Sequence, residues 1–459
     1  MKVILINSPL FRDKNPLYDE DSLPPIGLGY IATHLQNNGI DVDLIDAVYE
    51  RIPLRDLISY LNFAKPEFVA ANVFTTNYEL VKELFESLTF SCHYIIGGLA
   101  TKELYYNIVE WKTKNLVDVV IGDGELISLD IINEKIHQPP LLAKENFRVF
   151  KVDGSSSYYV NDISSQELNR SFFLNEPIRH PFGFIEANII ASRGCIYNCT
   201  FCAAARSLNQ EFPIRERSEE SIIRELQDIK SKFPTVNSIR VLDDLFLKNG
   251  RTIGKAINVF SPFNFQWRSM AHVLTFQNID QSILNALKES GCKELFIGIE
   301  SGSPRVLRSI NKTHNLDIII KNLSMVLKAK INIKGYFIFG FPGETQEEME
   351  MTYHLAKTLK EIATAEGVTF RTSVFQYRPY HATEIYHDLA SQGKALQVEQ
   401  VAGNQALSSL VGRIQFNFHS GNYAAVDSDT LHGYIYRTTN LNDSGLFNGL
   451  KPSNQPEKE

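Results

Sequence analysis

The feature that most constrains the fold of this chain is a regular alternation of short apolar runs with stretches of helical periodicity. In the first part of the chain the apolar runs lie at 3–7, 42–46, 68–74, 94–98 and 119–124. Such runs predict buried strands, and the helical stretches between them supply the crossovers that parallel strands need. The sequence therefore predicts an α/β fold that begins with a doubly wound parallel sheet over residues 1–137.

A second alternating series fills the middle of the chain. Its apolar runs lie at 189–192, 239–243, 265–272, 295–300, 333–339 and 369–375. Ser218 is suited to cap the helical pattern at 218–229, and Gly291 is suited to end the pattern at 280–289. Six strand-helix units predict an open, partial (β/α)6 barrel of the TIM type over residues 186–378, with its active site at the C-terminal ends of the strands.

The remaining segments carry weaker signals. The sequence His-Gln-Pro-Pro at 137–140 marks a domain boundary, and the polar stretch 138–185 is predicted to be a linker. Residues 379–450 form a C-terminal extension in which the periodic pattern fades. Residues 451–459 are polar and charged, which predicts a disordered tail.

Composition and charge narrow the class of protein. A hydrophobic content of 44% with 22% charged residues is typical of a globular protein. The net charge is −7 and no dense Lys/Arg block is present, so we expect no nucleic-acid partner. The apolar run at the N-terminus is too short for a signal peptide, and no run approaches the ~20 residues of a membrane span. These features predict a cytoplasmic protein without a membrane partner.

Three of the five cysteines fall within eight residues, at Cys195, Cys199 and Cys202. This spacing is unlike a secreted disulfide framework. The cysteines follow a predicted barrel strand, and their thiolates can hold three irons of a 4Fe-4S cluster while the fourth iron stays open to a ligand. The alternative is a zinc-stapled binding protein, but zinc needs a fourth ligand, and Cys92 and Cys292 lie in other predicted elements.

The sequence Arg-Gly-Cys-Ile-Tyr-Asn-Cys-Thr-Phe-Cys at 193–202 resembles the CxxxCxxC motif of the radical S-adenosylmethionine (SAM) superfamily. The stretch 188–375 resembles the catalytic barrel of that superfamily. The resemblance implies that the open iron binds the amino and carboxylate groups of SAM. Electron transfer from the reduced cluster would then break the sulfonium bond and give a 5'-deoxyadenosyl radical.

The same resemblance implies further contacts with SAM at three strand ends and beside the third cysteine. They are Asp243 and Asp244 for the methionine amino group, Glu300 and Ser301 for the ribose hydroxyls, Gly340, Pro342 and Gly343 in a GxPGET turn near the adenine, and Phe201 packed on the adenine.

Residues 1 to about 135 resemble the Rossmann-like, cobalamin-binding domain that precedes the barrel in one large branch of the superfamily. The residues that carry this resemblance and its candidate cobalamin contacts include Asn7, Thr75, Thr76, Gly97, Gly98, Gly122 and Glu125. The chain lacks an Asp-x-His-x-x-Gly motif, so the lower face of a bound cobalamin would be covered by polar residues such as Thr75, Thr76 or Asn77, or by water. The alternative is that the domain is a scaffold without a cofactor.

The predicted function is methylation of an unactivated carbon of a small metabolite or peptide, using cobalamin, SAM and one 4Fe-4S cluster, with flavodoxin or ferredoxin as electron donor. The alternative is a radical SAM dehydratase, epimerase or cyclase in natural-product biosynthesis whose first domain binds no cobalamin. Cys92 and Cys292 are too few for auxiliary clusters, and both are expected to be buried and structural. Tyr380 and His381 follow the last barrel strand and are either pocket residues or ordinary packing.

Overall fold

The computed structural model describes residues 1–10, 23–180, 183–394, 398–400 and 418–442, and it places them in two α/β halves, each built on a seven-stranded sheet. The tail at 451–459 lies outside the described residues. Within the described ranges, no helix is both long and apolar enough to cross a membrane.

The first half is a mostly parallel sheet with helices on both faces. Its strands are β1 (Lys2–Asn7), β2 (Asp41–Asp46), β3 (Phe68–Asn72), β4 (His93–Gly97), β5 (Leu116–Gly122), β6 (Leu142–Lys144) and β7 (Phe147–Val152). Its helices are α1 (Ile26–Asn37), α2 (Leu54–Ala64), α3 (Tyr78–Glu86), α4 (Thr101–Ile108) and α5 (Glu125–Ile132).

The strand order of this sheet is β2-β1-β3-β4-β5-β7-β6, and β6 alone of its strands runs antiparallel to its neighbour. The chain leaves β1 toward β2 on one side and returns to β3 on the other. The C-terminal ends of β1 and β3 therefore form the topological switch point, where ligands of such sheets bind. The predicted doubly wound sheet is confirmed.

The boundary predicted at residue 137 is wrong, because β6 and β7 of the segment predicted as a linker, 138–185, extend the first sheet. Arg148 and Lys151 interrupt the apolar pattern of β7 and hide it from a periodicity argument. Arg148 is held by Asp118 of β5, with Nε–Oδ1 at 2.7 Å and Nη2–Oδ2 at 2.6 Å. Asp118 lies 30 residues away, so the local sequence does not reveal this charge pair.

The second half begins at an edge strand and continues through six strand-helix units. Its strands are β8 (Ile178–Arg179), β9 (Ile185–Ile189), β10 (Ser192–Arg193), β11 (Arg215–Glu216), β12 (Ser238–Val241), β13 (Gln266–Ala271), β14 (Cys292–Glu300), β15 (Asn332–Phe339), β16 (Phe370–Gln376), β17 (Val398–Gln400) and β18 (Phe418–Ser420). Its helices are α6 (Glu219–Lys232), α7 (Gly250–Phe260), α8 (Gln281–Glu289), α9 (Pro304–Ser309), α10 (Leu316–Lys328), α11 (Gln346–Ala365), α12 (Glu384–Ser391) and α13 (Ser428–Thr439).

The large sheet of this half has the order β16-β15-β14-β13-β12-β9-β8. Six strands of this sheet, β9 and β12–β16, are parallel to one another, whereas β8 pairs antiparallel with β9. β16 and β8 are the two edges, so the sheet is an open, partial barrel. The fold class predicted from the sequence is confirmed for both halves.

The barrel wall has two chemically different faces. Alternate residues such as Ile239, Trp267 and Leu295 belong to the core formed with the helices. The positions between them carry buried ion pairs: Arg268 lies 2.6 Å from Glu186 and 3.4 Å from Glu294. The apolar residues of the helix-facing side are the ones that made these strands recognisable in the sequence, and the charged residues between them occupy the other face.

Both helix boundaries predicted from the sequence are confirmed. Ser218 caps α6, since its hydroxyl accepts a hydrogen bond from the Ser221 backbone. After α8, Gly291 has φ +98°, and a Cβ added there would lie 2.1 Å from the carbonyl oxygen of Phe265. The left-handed backbone and the close approach both require glycine at this position.

We expect Gly291→Ala to lower the free energy of unfolding by more than about 1 kcal/mol, because alanine is strained at this φ and collides with β13. The matched control is Gly254→Ala in α7, where an added Cβ has nothing within 4 Å. Alanine favours helix by up to about 1 kcal/mol, so the control should be neutral or stabilising. Urea denaturation measures both variants, and equal effects would contradict the structural role of Gly291.

Candidate functional site

The three clustered cysteines lie in one loop at the C-terminal end of the barrel strands. This loop, residues 194–214, is called the cysteine loop, and it connects β10 to β11, which pair as a two-stranded antiparallel ribbon. Cys195, Cys199 and Cys202 are half-buried free thiols. Burial raises the pKa of the Cys202 thiol to about 12, and the neighbouring Cys199 and Cys195 sulfurs add to the shift. Metal loading of these thiols must therefore displace protons.

The cysteine loop fits an iron-sulfur cluster better than a single metal ion. Within the described ranges, no group of three His, Cys, Asp or Glu side chains is arranged to hold one metal ion. In a cubane each thiolate binds a different iron, so the three sulfurs need not converge on one point. Cys92 precedes β4 in the first half, and Cys292 is fully buried at the start of β14, at the opposite end of that strand from the loop.

A buried lysine beside the loop was not found by sequence reasoning. Lys312 donates to the Gly298 carbonyl at 3.1 Å and forms an ion pair with Glu300 at 3.1 Å. Burial lowers the pKa of Lys312, but the Glu300 carboxylate and the Cys199 thiol outweigh it and leave the pKa raised. A fixed cation here stabilises thiolates in the loop. No motif marks Lys312, which reaches the site only because β14 ends beside the loop.

The two aspartates after β12 have different environments. Asp243 is buried, and its carboxylate accepts hydrogen bonds from the Ala191 amide at 2.7 Å and the Ser192 hydroxyl at 2.6 Å. Burial raises the pKa of Asp243 to about 6. Asp244 instead lines a cavity beside Cys202 and accepts from the Gly194 amide at 3.1 Å. Asp243 therefore fixes the strand ends, and Asp244 is the carboxylate that reaches the site.

The two residues predicted to bind the ribose, Glu300 and Ser301, also have different environments. Glu300 has φ +67° at an irregularity in β14 and points to Lys312. Ser301 is fully buried, and its hydroxyl lies 3.0 Å from that of Thr352 and accepts from the Ser303 amide at 3.0 Å. This hydroxyl has its hydrogen-bond partners inside the barrel wall, and the assignment of Ser301 to the ribose stays a prediction that this burial does not favour.

The GxPGET turn after β15 is built around Glu344. Its Oε2 accepts hydrogen bonds from the Gly340 and Phe341 amides at 2.6 and 3.2 Å, and Gly340 has φ +91°. Gly343, next to Pro342, donates its amide to the Tyr423 carbonyl at 2.9 Å. The turn thus has a fixed backbone that can face a planar base.

Two aromatic rings connect the turn to the cysteine loop. The ring centroids of Phe201 and Phe341 are 5.6 Å apart in an edge-to-face arrangement. Tyr377 packs on the other side of Phe341, with centroids 5.1 Å apart. This arrangement brings the predicted adenine contact, Phe201, to the predicted adenine turn.

A cavity of 550 Å³, called the shared cavity, lies between the two halves of the protein. Its first-half wall includes Asn7, Ser8, Thr75, Thr76, Asn77 and Leu99, and its second-half wall includes Phe201, Cys202, Asp244, Tyr380 and His381. The two walls touch where the His381 imidazole Nδ1 lies 2.9 Å from the Thr75 hydroxyl. The structure therefore brings candidate residues from both halves to one space, and it places Tyr380 and His381 on its wall.

A second cavity of 300 Å³, called the glycine cavity, adjoins the first, since Phe74 and Leu99 line both. The glycines at 97, 98, 122 and 124 line it. The described residues of the first-half wall of the shared cavity include no histidine. A cobalamin lying here would have its lower face against hydroxyl and amide groups, so the residues present fit a large flat ring with a tail.

The glycines that line the glycine cavity are required for different reasons. A Cβ on Gly98 would lie 2.6 Å from the Val73 amide nitrogen, and one on Gly122 would lie 2.1 Å from the Val152 carbonyl. Both have φ +104°, so neighbouring backbone requires these glycines whatever the ligand. At Gly97 an added Cβ has nothing closer than 4.0 Å, which leaves room for a ligand.

Glu125, predicted as a cobalamin contact, lines the glycine cavity and also joins the two halves. It is buried, and its carboxylate binds the Arg193 guanidinium at 2.6 Å. Burial raises the pKa of Glu125, but Arg193 outweighs it and leaves the pKa lowered. Arg193 precedes the cysteine motif directly, yet nothing in the motif's spacing indicates this partner.

Comparison with known proteins agrees with this geometry. Residues 189–356 match the model of the radical SAM superfamily, and residues 20–131 match that of the B12 binding domain. Together the two models imply a 4Fe-4S cluster, SAM and cobalamin as cofactors.

Among curated relatives, an uncharacterized methyltransferase of Pyrococcus horikoshii is 27% identical over 362 residues, which is 73% of each chain. Cytidylyl-2-hydroxyethylphosphonate methyltransferase of Streptomyces wedmorensis is 22% identical, covering 85% of this chain and 82% of the relative.

Two solved structures share the fold. The radical SAM methyltransferase TsrM from Kitasatospora setae, with cobalamin and a 4Fe-4S cluster bound, superposes with a TM-score of 0.64 at 15% identity, covering 96% of this chain and 90% of that one. The cobalamin-dependent SAM radical enzyme OxsB gives a TM-score of 0.65 at 14% identity, covering 94% and 65%. The chain therefore contains a radical SAM domain at 189–356 that follows a B12-binding domain at 20–131.

Proposed function

We propose that this enzyme transfers a methyl group to an unactivated carbon of a small molecule or peptide and depends on cobalamin for that transfer. The observation that carries the proposal is the shared cavity, which has Cys202 and Asp244 on one wall and Asn7, Thr75 and Thr76 on the other. The methyltransferase names of both curated relatives support it.

The cofactors, when bound, supply an electron for the cleavage of SAM and a carrier for the methyl group. The chain holds and orients them. The three cysteines of the loop would bind the cluster, with the Lys312 ammonium beside them. Asp244 would accept hydrogen bonds from the amino group of SAM, and the rings of Phe201 and Phe341 would pack beside the adenine.

The first half would hold cobalamin across the switch point. Asn7 and Thr76 offer an amide and a hydroxyl at the shared cavity, and Gly97 leaves room for a tail in the glycine cavity. Flavodoxin or ferredoxin would supply the reducing electron, and the cytoplasmic location stays a prediction.

The first prediction concerns the cluster ligands. Replacing Cys195, Cys199 or Cys202 by Ala should remove the cluster and all formation of 5'-deoxyadenosine, because each thiolate binds its own iron. Cys92→Ala and Cys292→Ala are the controls and should keep both. Iron per chain after anaerobic reconstitution and chromatographic analysis of 5'-deoxyadenosine measure the outcome. A full cluster in Cys199→Ala would refute the ligand assignment.

The second prediction separates the two aspartates. Asp244→Asn should weaken SAM binding about tenfold or more with iron content unchanged, because a charge-assisted hydrogen bond worth about 1.5–3 kcal/mol is lost. Asparagine can still accept from the Gly194 amide, so the loop should persist.

Asp243→Asn is the matched control for that substitution, and it should lower thermal stability while leaving SAM affinity close to that of the wild type. Equilibrium binding of SAM to the reconstituted variants measures the difference. Weaker binding in the Asp243 variant alone would reverse the assignment.

The third prediction tests the cofactor on which the proposed methyl transfer depends. The reconstituted protein should retain about one equivalent of hydroxocobalamin per chain through gel filtration, and its spectrum should lack the features of a histidine-bound lower face. If SAM is cleaved to 5'-deoxyadenosine but no cobalamin is retained, the methyltransferase proposal falls and the dehydratase, epimerase or cyclase class replaces it.

A further inference from the structure

The two ends of the cysteine loop are fixed to the first half of the protein by a pair of arginines. Arg193 of β10 lies directly opposite Arg215 of β11 in the ribbon that flanks the loop. Both side chains bind Asp123, which follows β5: Arg193 at 3.3 Å, and Arg215 through two hydrogen bonds, one of them 3.1 Å long. One carboxylate thus holds both stems of the loop.

Further contacts fix the orientation of the Arg193 guanidinium. Its guanidinium also donates to the Glu125 carboxylate at 2.6 Å and to the Gln166 side-chain oxygen at 2.8 Å, and it lies 5.6 Å from the centre of the Tyr30 ring. A planar guanidinium shared among three acceptors and one ring has little freedom to rotate.

The cysteine loop itself is divided between the halves. The barrel holds its early part, since the Asn311 side chain donates to the Asn198 carbonyl at 2.8 Å. The first half holds its late part: Lys102 pairs with Glu211 at 2.7 Å, and the Tyr159 hydroxyl donates to the Pro213 carbonyl at 3.1 Å. The loop is therefore positioned by the first half as much as by the barrel that carries it.

Arg193 and Asp123 also line the glycine cavity, next to the glycines at 122 and 124. A ligand in that cavity would lie against the same groups that fix the start of the loop. The geometry thus links the place where the first half would hold its cofactor to the place where the cluster would be held.

We infer that Arg193 is a positioning residue that sets the distance and orientation between the iron-sulfur cluster and the cofactor of the first half, through Asp123 and Glu125. The effect on the distance between the two cofactors rests on the proposed function, whereas the anchoring of the cysteine loop by Arg193 does not depend on any cofactor.

The test compares three variants. Arg193→Gln is combined with Glu125→Gln so that the exchange leaves no single uncompensated charge in the junction. Arg193→Lys keeps the charge but loses the planar fork and should show an intermediate effect. The matched control is Arg251→Gln. It breaks the ion pair, 2.9 Å long, between Arg251 of α7 and Glu216 of the same ribbon, and both of these residues belong to the second half.

The first readout is hydrogen exchange of the metal-free protein, followed by mass spectrometry. In the double variant, amides of the cysteine loop, residues 194–214, should exchange about tenfold faster or more, because loss of the charge-assisted hydrogen bonds at the start of the loop raises the population of its open form. The rest of the barrel and the thermal transition should remain close to the wild type. Arg251→Gln should leave exchange in this segment unchanged.

The second readout is electron paramagnetic resonance of the holoenzyme, held by redox titration at a potential where the cluster is reduced and the bound cobalamin is cob(II)alamin. The reduced cluster speeds the relaxation of cob(II)alamin in a distance-dependent way. In wild type this enhancement should be uniform, and in the double variant it should be weaker and heterogeneous with iron and cobalamin content preserved.

Unchanged exchange and unchanged relaxation in the double variant would overturn the inference, as would equal effects in Arg251→Gln. If the protein retains no cobalamin, the proposed function fails by that result, and the exchange experiment still decides whether Arg193 anchors the loop.

Discussion

The carboxylate of Asp123 accepts hydrogen bonds from Arg193 and Arg215, the two arginines of the ribbon that flanks the cysteine loop. This junction joins the first half of the protein to the second. Burying such ions costs desolvation free energy, and a buried pair adds little net stability. Removing one partner is far more costly, at about 3–5 kcal/mol, because the other charge is left buried alone. The junction therefore fixes a geometry more than it stabilises a fold, and its geometry decides which strand ends face each other across the shared cavity.

The strands could be predicted because their apolar runs are local. Ten of the eleven runs found in the sequence correspond to β1–β5 and β12–β16, most within three residues of their observed ends, whereas the run at 189–192 shares only Ile189 with β9. β7 could not be predicted, because the charge of Arg148 is paired with Asp118 of a strand distant in sequence, and Lys151 is paired with Asp153 and Glu211. Periodicity shows which residues are apolar, but the partner that neutralises a charge is a property of the assembled sheet.

The same distinction applies to the site. Cys195, Cys199 and Cys202 could be found because their spacing is itself the chemical requirement. Lys312 and Arg193 could not, because each acts through a partner brought close only by folding. Ser301 and Glu125 stand at strand ends where a ligand contact was expected, yet their side chains are already engaged by Thr352 and Arg193. Position along a strand predicts the end of the sheet that a residue occupies, and tertiary contacts decide whether its side chain remains available to a ligand.

The extension of the first sheet by β6 and β7 sets where this half of the protein can be divided from the rest. A fragment that stops near residue 137 would leave β5 as a bare edge, with the backbone groups of Leu116–Gly122 unpaired along one side. Such an edge of β-branched residues is a template for pairing with another copy of itself. A fragment that continues past Tyr159 keeps β7 on β5 and buries Tyr158 and Tyr159 against the same core. A fragment of the first half that keeps this sheet and core complete must thus extend about 28 residues, to Tyr159, past the end of the matched B12-binding segment at 20–131.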